Sequence, residues 1–185
     1  MSGDQDMLAE LTAQFEIRDA LYRFCRGVDR GDRDAMLSAF HPDATDSHGP
    51  GGPAAVADVL LDRFDRTPGI GQHHITNVLA EVSDEVAAVE SYFIIFNAQG
   101  SDRGGEHDLV GGRYLDRFEK RDGAWRIARR DIVIDVARSA LSGDSILSSL
   151  PFLVGGRHEQ DPSAAMFGRG RARPGTAQGK GVSTS

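Results

Sequence analysis

The chain has 185 residues, 39% hydrophobic and 26% charged, a composition that builds one globular domain with a core and excludes disordered, collagen-like and disulfide-framed classes. Its 21 basic and 28 acidic side chains leave a net charge of −7, so there is no chain-wide positive field to neutralise phosphates, and neither nucleic acid nor a membrane surface is an expected partner. Cys25 is the only cysteine and cannot form an intrachain disulfide; with no leader-like N-terminus and no long apolar run, the expected location is the cytoplasm.

From Leu8 to Val28 apolar residues recur at three- and four-residue steps (Leu8, Leu11, Phe15, Leu21, Phe24, Cys25, Val28), which predicts an amphipathic helix. Gly27 and Gly31 bracket its end, so Asp29 falls at a helix terminus. Asp32 is set to cap a short second helix carrying Ala35, Met36, Ala39 and Phe40, which His41-Pro42 stops. Ala44 to His48 reads as a short strand before the turn-forming Gly49–Pro53 stretch, and Ala55, Val56, Val59, Leu60 and Phe64 mark a third helix. Beyond Pro68-Gly69 the period changes to two. Residues 72–82, 86–96, 109–120 and 124–136 read as four long strands, with Ser83-Asp84 and Arg121-Asp122-Gly123 as hairpin turns. Helices followed by antiparallel strands predict an α+β domain, a conical barrel made by a strongly curved, mostly antiparallel sheet wrapped around the N-terminal helices. That domain is expected over residues 1–156, with one more turn near Ile146–Phe152. The Gly-, Pro- and Arg-rich stretch 157–185 is expected to be a largely disordered tail.

No Walker loop, zinc-binding cysteine set, HExxH or Gly-x-Ser-x-Gly occurs, and no metal or cofactor is expected. His73 and His74 are adjacent at the start of the first long strand, so their side chains take opposite faces and at most one looks into the cone. An imidazole there can take a proton from carbon when a carboxylate fixes its tautomer. Asp29, beside Gly27 and Val28 at the end of an apolar helix, is the candidate carboxylate, because Asp32 and Asp34 are better placed for capping. Along the last strand, alternation puts Arg126, Ala128, Arg130 and Ile132 on one face and Trp125, Ile127 and Arg129 on the other. One arginine inside the cone would bind a carboxylate, an enolate or a departing anion. Tyr22, Asp46, His48, Asn77, Tyr92, Asn97 and Arg113 lie on elements expected to border the cone and form the candidate substrate-binding tier.

Taken in order, Gly27-Val28-Asp29, Phe40-His41-Pro42-Asp43-Ala44, Gln72-His73-His74-Ile75-Thr76-Asn77, and Gly112-Arg113-Tyr114 followed by Arg121-Asp122-Gly123-Ala124-Trp125-Arg126-Ile127 resemble the SnoaL-like branch of the nuclear transport factor 2-like superfamily. The similarity spans about residues 8–138 and is nearest to the group of scytalone dehydratase, hexachlorocyclohexane dehydrochlorinase and bile acid 7α-dehydratase. That resemblance implies a cofactor-free lyase whose conical pocket carries an Asp-His pair. Asp29 matches the family aspartate, His73 the catalytic histidine, and Arg130 an arginine that in some members faces the leaving group. The second histidine of scytalone dehydratase has no counterpart on the strand around Leu109–Arg113. The tyrosine that bile acid dehydratases carry five residues before the aspartate is Phe24 here, a substrate-binding residue without a phenolic acid.

The implied activity is dehydration or a related β-elimination on a small hydrophobic cyclic substrate, aromatic, polyketide-like or steroidal. Two alternatives stand beside it: an isomerase using the same Asp-His pocket, and a non-catalytic ligand-binding or small-subunit module. By analogy with relatives a homo-oligomer is expected, a trimer or a dimer, formed through the outer sheet face.

Overall fold

In the computed structural model, which describes residues 2–66, 69–99, 106–141 and 157, the first helix is longer than its apolar stripe: α1 runs over Ser2–Arg30. Ala13, Ile17, Ala20, Leu21, Phe24, Cys25 and Val28 are its buried hydrophobic positions, at the three- and four-residue steps of one helix face. Leu8, Leu11 and Phe15 are exposed, so the stripe that meets the core begins at Ala13 and not, as expected, at Leu8. Helix α2 (Arg33–Ser38) is capped by Asp32, whose side chain accepts from the Ala35 backbone N–H at 3.0 Å.

The turn between these helices depends on Gly27. A Cβ there would lie 2.6 Å from Met36 Cγ and 2.8 Å from the Asp32 carbonyl oxygen, and that tight approach lets the Asp32 N–H donate to the Gly27 carbonyl at 2.8 Å. Gly27→Ala is expected to destabilise the fold by about 1–3 kcal/mol through overpacking. A urea titration checks this: the midpoint should fall with the slope unchanged, and an unchanged midpoint would show that the junction yields freely.

Strand β1 (Phe40–Asp46) starts earlier than the expected 44–48, and Phe40 is strand rather than helix. After α3 (Gly52–Arg66) come β2 (Gly69–Ser83), β3 (Val86–Gln99), β4 (Glu106–Arg121) and β5 (Ala124–Leu141). They form one five-stranded sheet in the order β1-β5-β4-β3-β2, antiparallel throughout except for β1, which pairs parallel with β5. The β4–β5 hairpin turns on Asp122 (φ +51°) and Gly123 (φ +75°), the two positive φ values that a two-residue turn of this hand requires. Ala87, Val89 and Phe93 of β3, Tyr114 and Phe118 of β4, and Trp125 and Ile127 of β5 share the buried face with the α1 stripe.

Bulges re-aim side chains at three places in the antiparallel ladders, as an extra residue in one strand does. Between β4 and β5, Phe118 pairs with Ile127 but Arg117 pairs with Arg129, leaving Ala128 as the extra residue. Strict alternation put Arg130 opposite Trp125 and Ile127. The bulge corrects this: Arg130 pairs with Asp116 and is buried on the same face as Ile127. Arg157, the first residue of the expected tail, donates to the Val28 carbonyl at 3.0 Å and so packs on the end of α1; the rest of 158–185 and the expected turn at 146–152 lie outside the described residues.

Candidate active site

Asp29 sits in the last turn of α1 and His73 near the start of β2, and the two elements meet through these side chains. One carboxylate oxygen lies 2.5 Å from His73 Nδ1, and the other accepts the His73 backbone N–H at 3.0 Å. Asp29 is buried and the His73 side chain only 7% exposed. Both carboxylate oxygens are thus occupied by one histidine, which fixes the ring about its Cα–Cβ bond and leaves Nε2 as the ring nitrogen available for proton transfer. Beside the pair, a Cβ on Gly71 would lie 3.0 Å from Asn97 Oδ1 and 3.6 Å from Asp29 Oδ1, so glycine permits the approach. His74 takes the opposite sheet face, exposed, with its ring edge-on to Phe96 at 5.8 Å. Of the two adjacent histidines, His73 is the one whose ring meets Asp29.

The second feature of the buried face is an arginine enclosed by aromatic rings. The Arg130 guanidinium is fully buried, and Nε and Nη2 reach the two oxygens of Asp116 at 2.8 and 2.7 Å. Its central carbon stands 3.9 Å from the Tyr114 ring centroid, 4.6 Å from that of Phe24 and 5.4 Å from that of Phe40, a stacking that planar guanidinium favours over ammonium. Burial pushes the Asp116 carboxyl upward while the adjacent guanidinium pulls it back, and the Tyr114 phenol is driven up by burial and stays neutral. Cys25 lies close enough to feel the charges of Arg130, Asp29 and Asp116, and burial pushes its thiol up to about 12. A thiol so placed is inert. Ellman's reagent is expected to modify Cys25 only as the protein unfolds, and rapid modification of the native protein would contradict this burial.

A second carboxylate–imidazole contact joins the last residue of β1 to the turn that follows it. Asp46 Oδ1 is 2.7 Å from His48 Nδ1 and also accepts the His48 backbone N–H at 3.0 Å, and the His48 ring packs 6.1 Å from that of Phe24. Burial opposes ionisation of Asp46, but the His48 ring and backbone contacts and the nearby Arg130 charge outweigh it and hold the carboxyl below its ordinary range.

Of the remaining expected site residues, Phe24 joins this cluster, Asn97 lies at Gly71 beside the Asp29–His73 pair, and the others do neither. Tyr22 is 52% exposed on α1, off its buried stripe. Tyr92 and Arg113 are paired neighbours on the outer sheet face, where Arg113 is engaged by Glu90 and Asp135 at 3.2 and 3.0 Å. Asn77 is exposed in the β2 bulge between Ile75 and Val78. Asp116, Tyr114 and Phe40 were not named as site residues from the sequence. The signal was present in the alternation Tyr114-x-Asp116-x-Phe118, which sets a carboxylate among apolar side chains on one strand face. Among the described residues no group of three or more His, Cys, Asp or Glu side chains is arranged to hold a metal ion, and no helix is long and apolar enough to cross a membrane.

Residues 9–131 match the SnoaL-like domain. The chain belongs to the SnoaL-like domain family. No functionally curated protein matches it. Among solved structures, a hexachlorocyclohexane dehydrochlorinase (LinA type 2) superposes with a TM-score of 0.62 at 22% identity, over 83% of this chain and 99% of that one. A candidate scytalone dehydratase from Novosphingobium aromaticivorans gives 0.59 at 20% identity, over 78% and 97%. At such identities the likeness is one of fold. The SnoaL-like α+β fold, an N-terminal helical layer against a curled, mostly antiparallel sheet, is common to all three.

Proposed function

We propose that the protein is a cofactor-independent lyase that removes a proton from carbon and expels a group from the neighbouring carbon of a small hydrophobic cyclic substrate. The observation that carries this reading is the buried 2.5 Å contact between Asp29 and His73 Nδ1. With Nδ1–H held by the carboxylate, the Nε2 lone pair is the base, and the carboxylate stabilises the imidazolium that forms. Arg130, held by Asp116 through two nitrogens, keeps Nη1 for negative charge that develops on the substrate.

The first test is incubation with cyclic β-hydroxy and β-chloro ketones in deuterated water. Elimination gives an enone lighter by one molecule of water or hydrogen chloride. An isomerase gives a product of unchanged skeleton carrying solvent deuterium, and a binding module gives neither. The outer sheet face, with Tyr92, Ile94, Phe96, Leu109 and Leu115 exposed, is the proposed surface for a homo-oligomer, because apolar patches of that kind are commonly covered by a partner.

A further inference from the structure

Helix α1 is apolar on two faces, and the core accounts for one of them. Away from its buried stripe, Leu8, Leu11, Phe15 and Tyr22 are 65%, 60%, 74% and 52% exposed. At about 3.6 residues per turn, their steps of three, four and seven residues set them along one edge of the helix, over about four turns. Single exposed apolar side chains are ordinary, but an aligned row of them is a contact surface. Both flanks of this row are tied to the body. Gln14 and Arg18 reach the Ala80 and Val78 carbonyls of β2 at 3.1 and 3.4 Å, and Arg23 reaches the Ser38 hydroxyl of α2 at 2.5 Å.

Two properties of α1 say what covers the row. The first is that its spacing reads the same in both directions from Phe15: Leu11 and Asp19 lie four residues to either side, Leu8 and Tyr22 seven, and Asp4 and Arg26 eleven. The second is that charge is segregated along the helix. Ser2 to Ile17 holds four acidic residues and no basic one, whereas Arg18 to Arg30 holds four arginines and two aspartates. The helix dipole favours this order of charge, but it does not place apolar side chains between the two ends on an outward edge. A surface that complements itself when reversed is what a two-fold contact requires, because each subunit then sets residue i against j and j against i.

We propose that this row docks a second copy of the chain, with the two α1 helices antiparallel and the two-fold axis at Phe15. Phe15 then meets Phe15 of the partner subunit, Leu8 packs against Tyr22 of the partner subunit, and Asp4 stands opposite Arg26 of the partner subunit at each end. The overlap from residue 4 to residue 26 is about 33 Å long. Arg26 also has Asp32 of its own chain at 3.6 Å, so at the rim it lies between two carboxylates. Parallel helices would set the acidic halves against each other, and that repulsion selects the antiparallel pair. The contact is independent of the lyase reading and separate from the outer sheet face; it doubles whatever assembly that face makes. It also gives Tyr22 a role away from the substrate.

The test combines sedimentation of the full chain with disulfide trapping. Phe15→Glu puts two like charges at the axis and, at so exposed a position, should keep the native circular dichroism spectrum. It is expected to halve the particle mass. An unchanged mass, or a wild-type protein that is already a monomer, overturns the proposal. Trapping reads the direction of the helices, with copper phenanthroline in air as the oxidant and the buried Cys25 of the wild type as the blank. Phe15→Cys should link two chains, since a disulfide needs Cα atoms within about 7 Å. Leu8→Cys alone should not, because its two copies stand about 21 Å apart along an antiparallel pair, while a mixture of Leu8→Cys and Tyr22→Cys should give a linked heterodimer. Linking of Leu8→Cys to itself would mean parallel helices and overturns the proposal, as does the absence of a link in Phe15→Cys.

Discussion

Arg130→Met is expected to destabilise the fold by about 3–5 kcal/mol near neutral pH, the usual result of leaving one member of a buried ion pair alone. The guanidinium is fully buried, bound through two nitrogens to Asp116, and stacked on Tyr114 and Phe24. Methionine replaces much of its volume and none of its charge, so the loss falls on Asp116. Burial already raises that carboxyl above its ordinary value, and Arg130 is the charge that opposes the rise; without it the carboxyl rises further. A folded-state pKa above the unfolded one means that the carboxyl is no burden below about pH 4, where both states are protonated. Stability is then lost as pH climbs through the raised folded value. The deficit of Arg130→Met against wild type should therefore be larger at pH 7.5 than at pH 5, as read by urea unfolding at both. The double variant Arg130→Met with Asp116→Leu is expected to recover most of the loss, since a buried pair can be exchanged for apolar residues at little cost. A double variant whose deficit is the sum of the two single ones would show that the pair does not act as a unit.

Those consequences were invisible to alternation along the strand, and the reason is local. Period-two reasoning assigns faces correctly only while the ladder register is unbroken. It is unbroken around His73 and His74, which fall on opposite faces as their adjacency requires. It breaks at Ala128, so Arg130 crosses to the buried face with Ile127. The same limit explains Tyr92 and Arg113: β3 and β4 were recognisable as strands, but which alternate set faces α1 depends on where the sheet curls, and these two face away from it. The turns were legible because Asp122-Gly123 must adopt positive φ, and the α2 cap because Asp32 has the right side chain in the right place. The parallel pairing of β1 with β5 joins residues more than eighty positions apart, and nothing in either strand's own pattern selects that partner. The Asp46–His48 contact, by contrast, is local: a carboxylate two residues before a histidine can accept both its backbone and ring N–H groups. Both residues were named from the sequence, though only as separate contributors.

The largest expected effect on activity belongs to the Asp29–His73 pair. His73→Ala should lower elimination by about 100- to 10,000-fold, the range that a positioned general base supplies. Asp29→Asn should cost nearly as much although it preserves volume. The carboxylate accepts from both the ring Nδ1–H and the backbone N–H of His73, whereas an amide has one accepting oxygen and one donating nitrogen. If the amide oxygen keeps the backbone N–H, its nitrogen donates to Nδ1, the ring proton moves to Nε2, and the base is lost although the ring stays in place. Histidine nitrogen-15 shifts would report that tautomer change directly. Because the two residues perform one task, the double variant Asp29→Asn with His73→Ala should be no slower than His73→Ala alone. Elimination rates of the four proteins, with deuterium exchange at the carbon acid as a second readout, decide the matter. Losses that multiply in the double variant would mean that Asp29 acts on the substrate independently of His73, and the 2.5 Å contact would then be a tie between α1 and β2 rather than the source of the base.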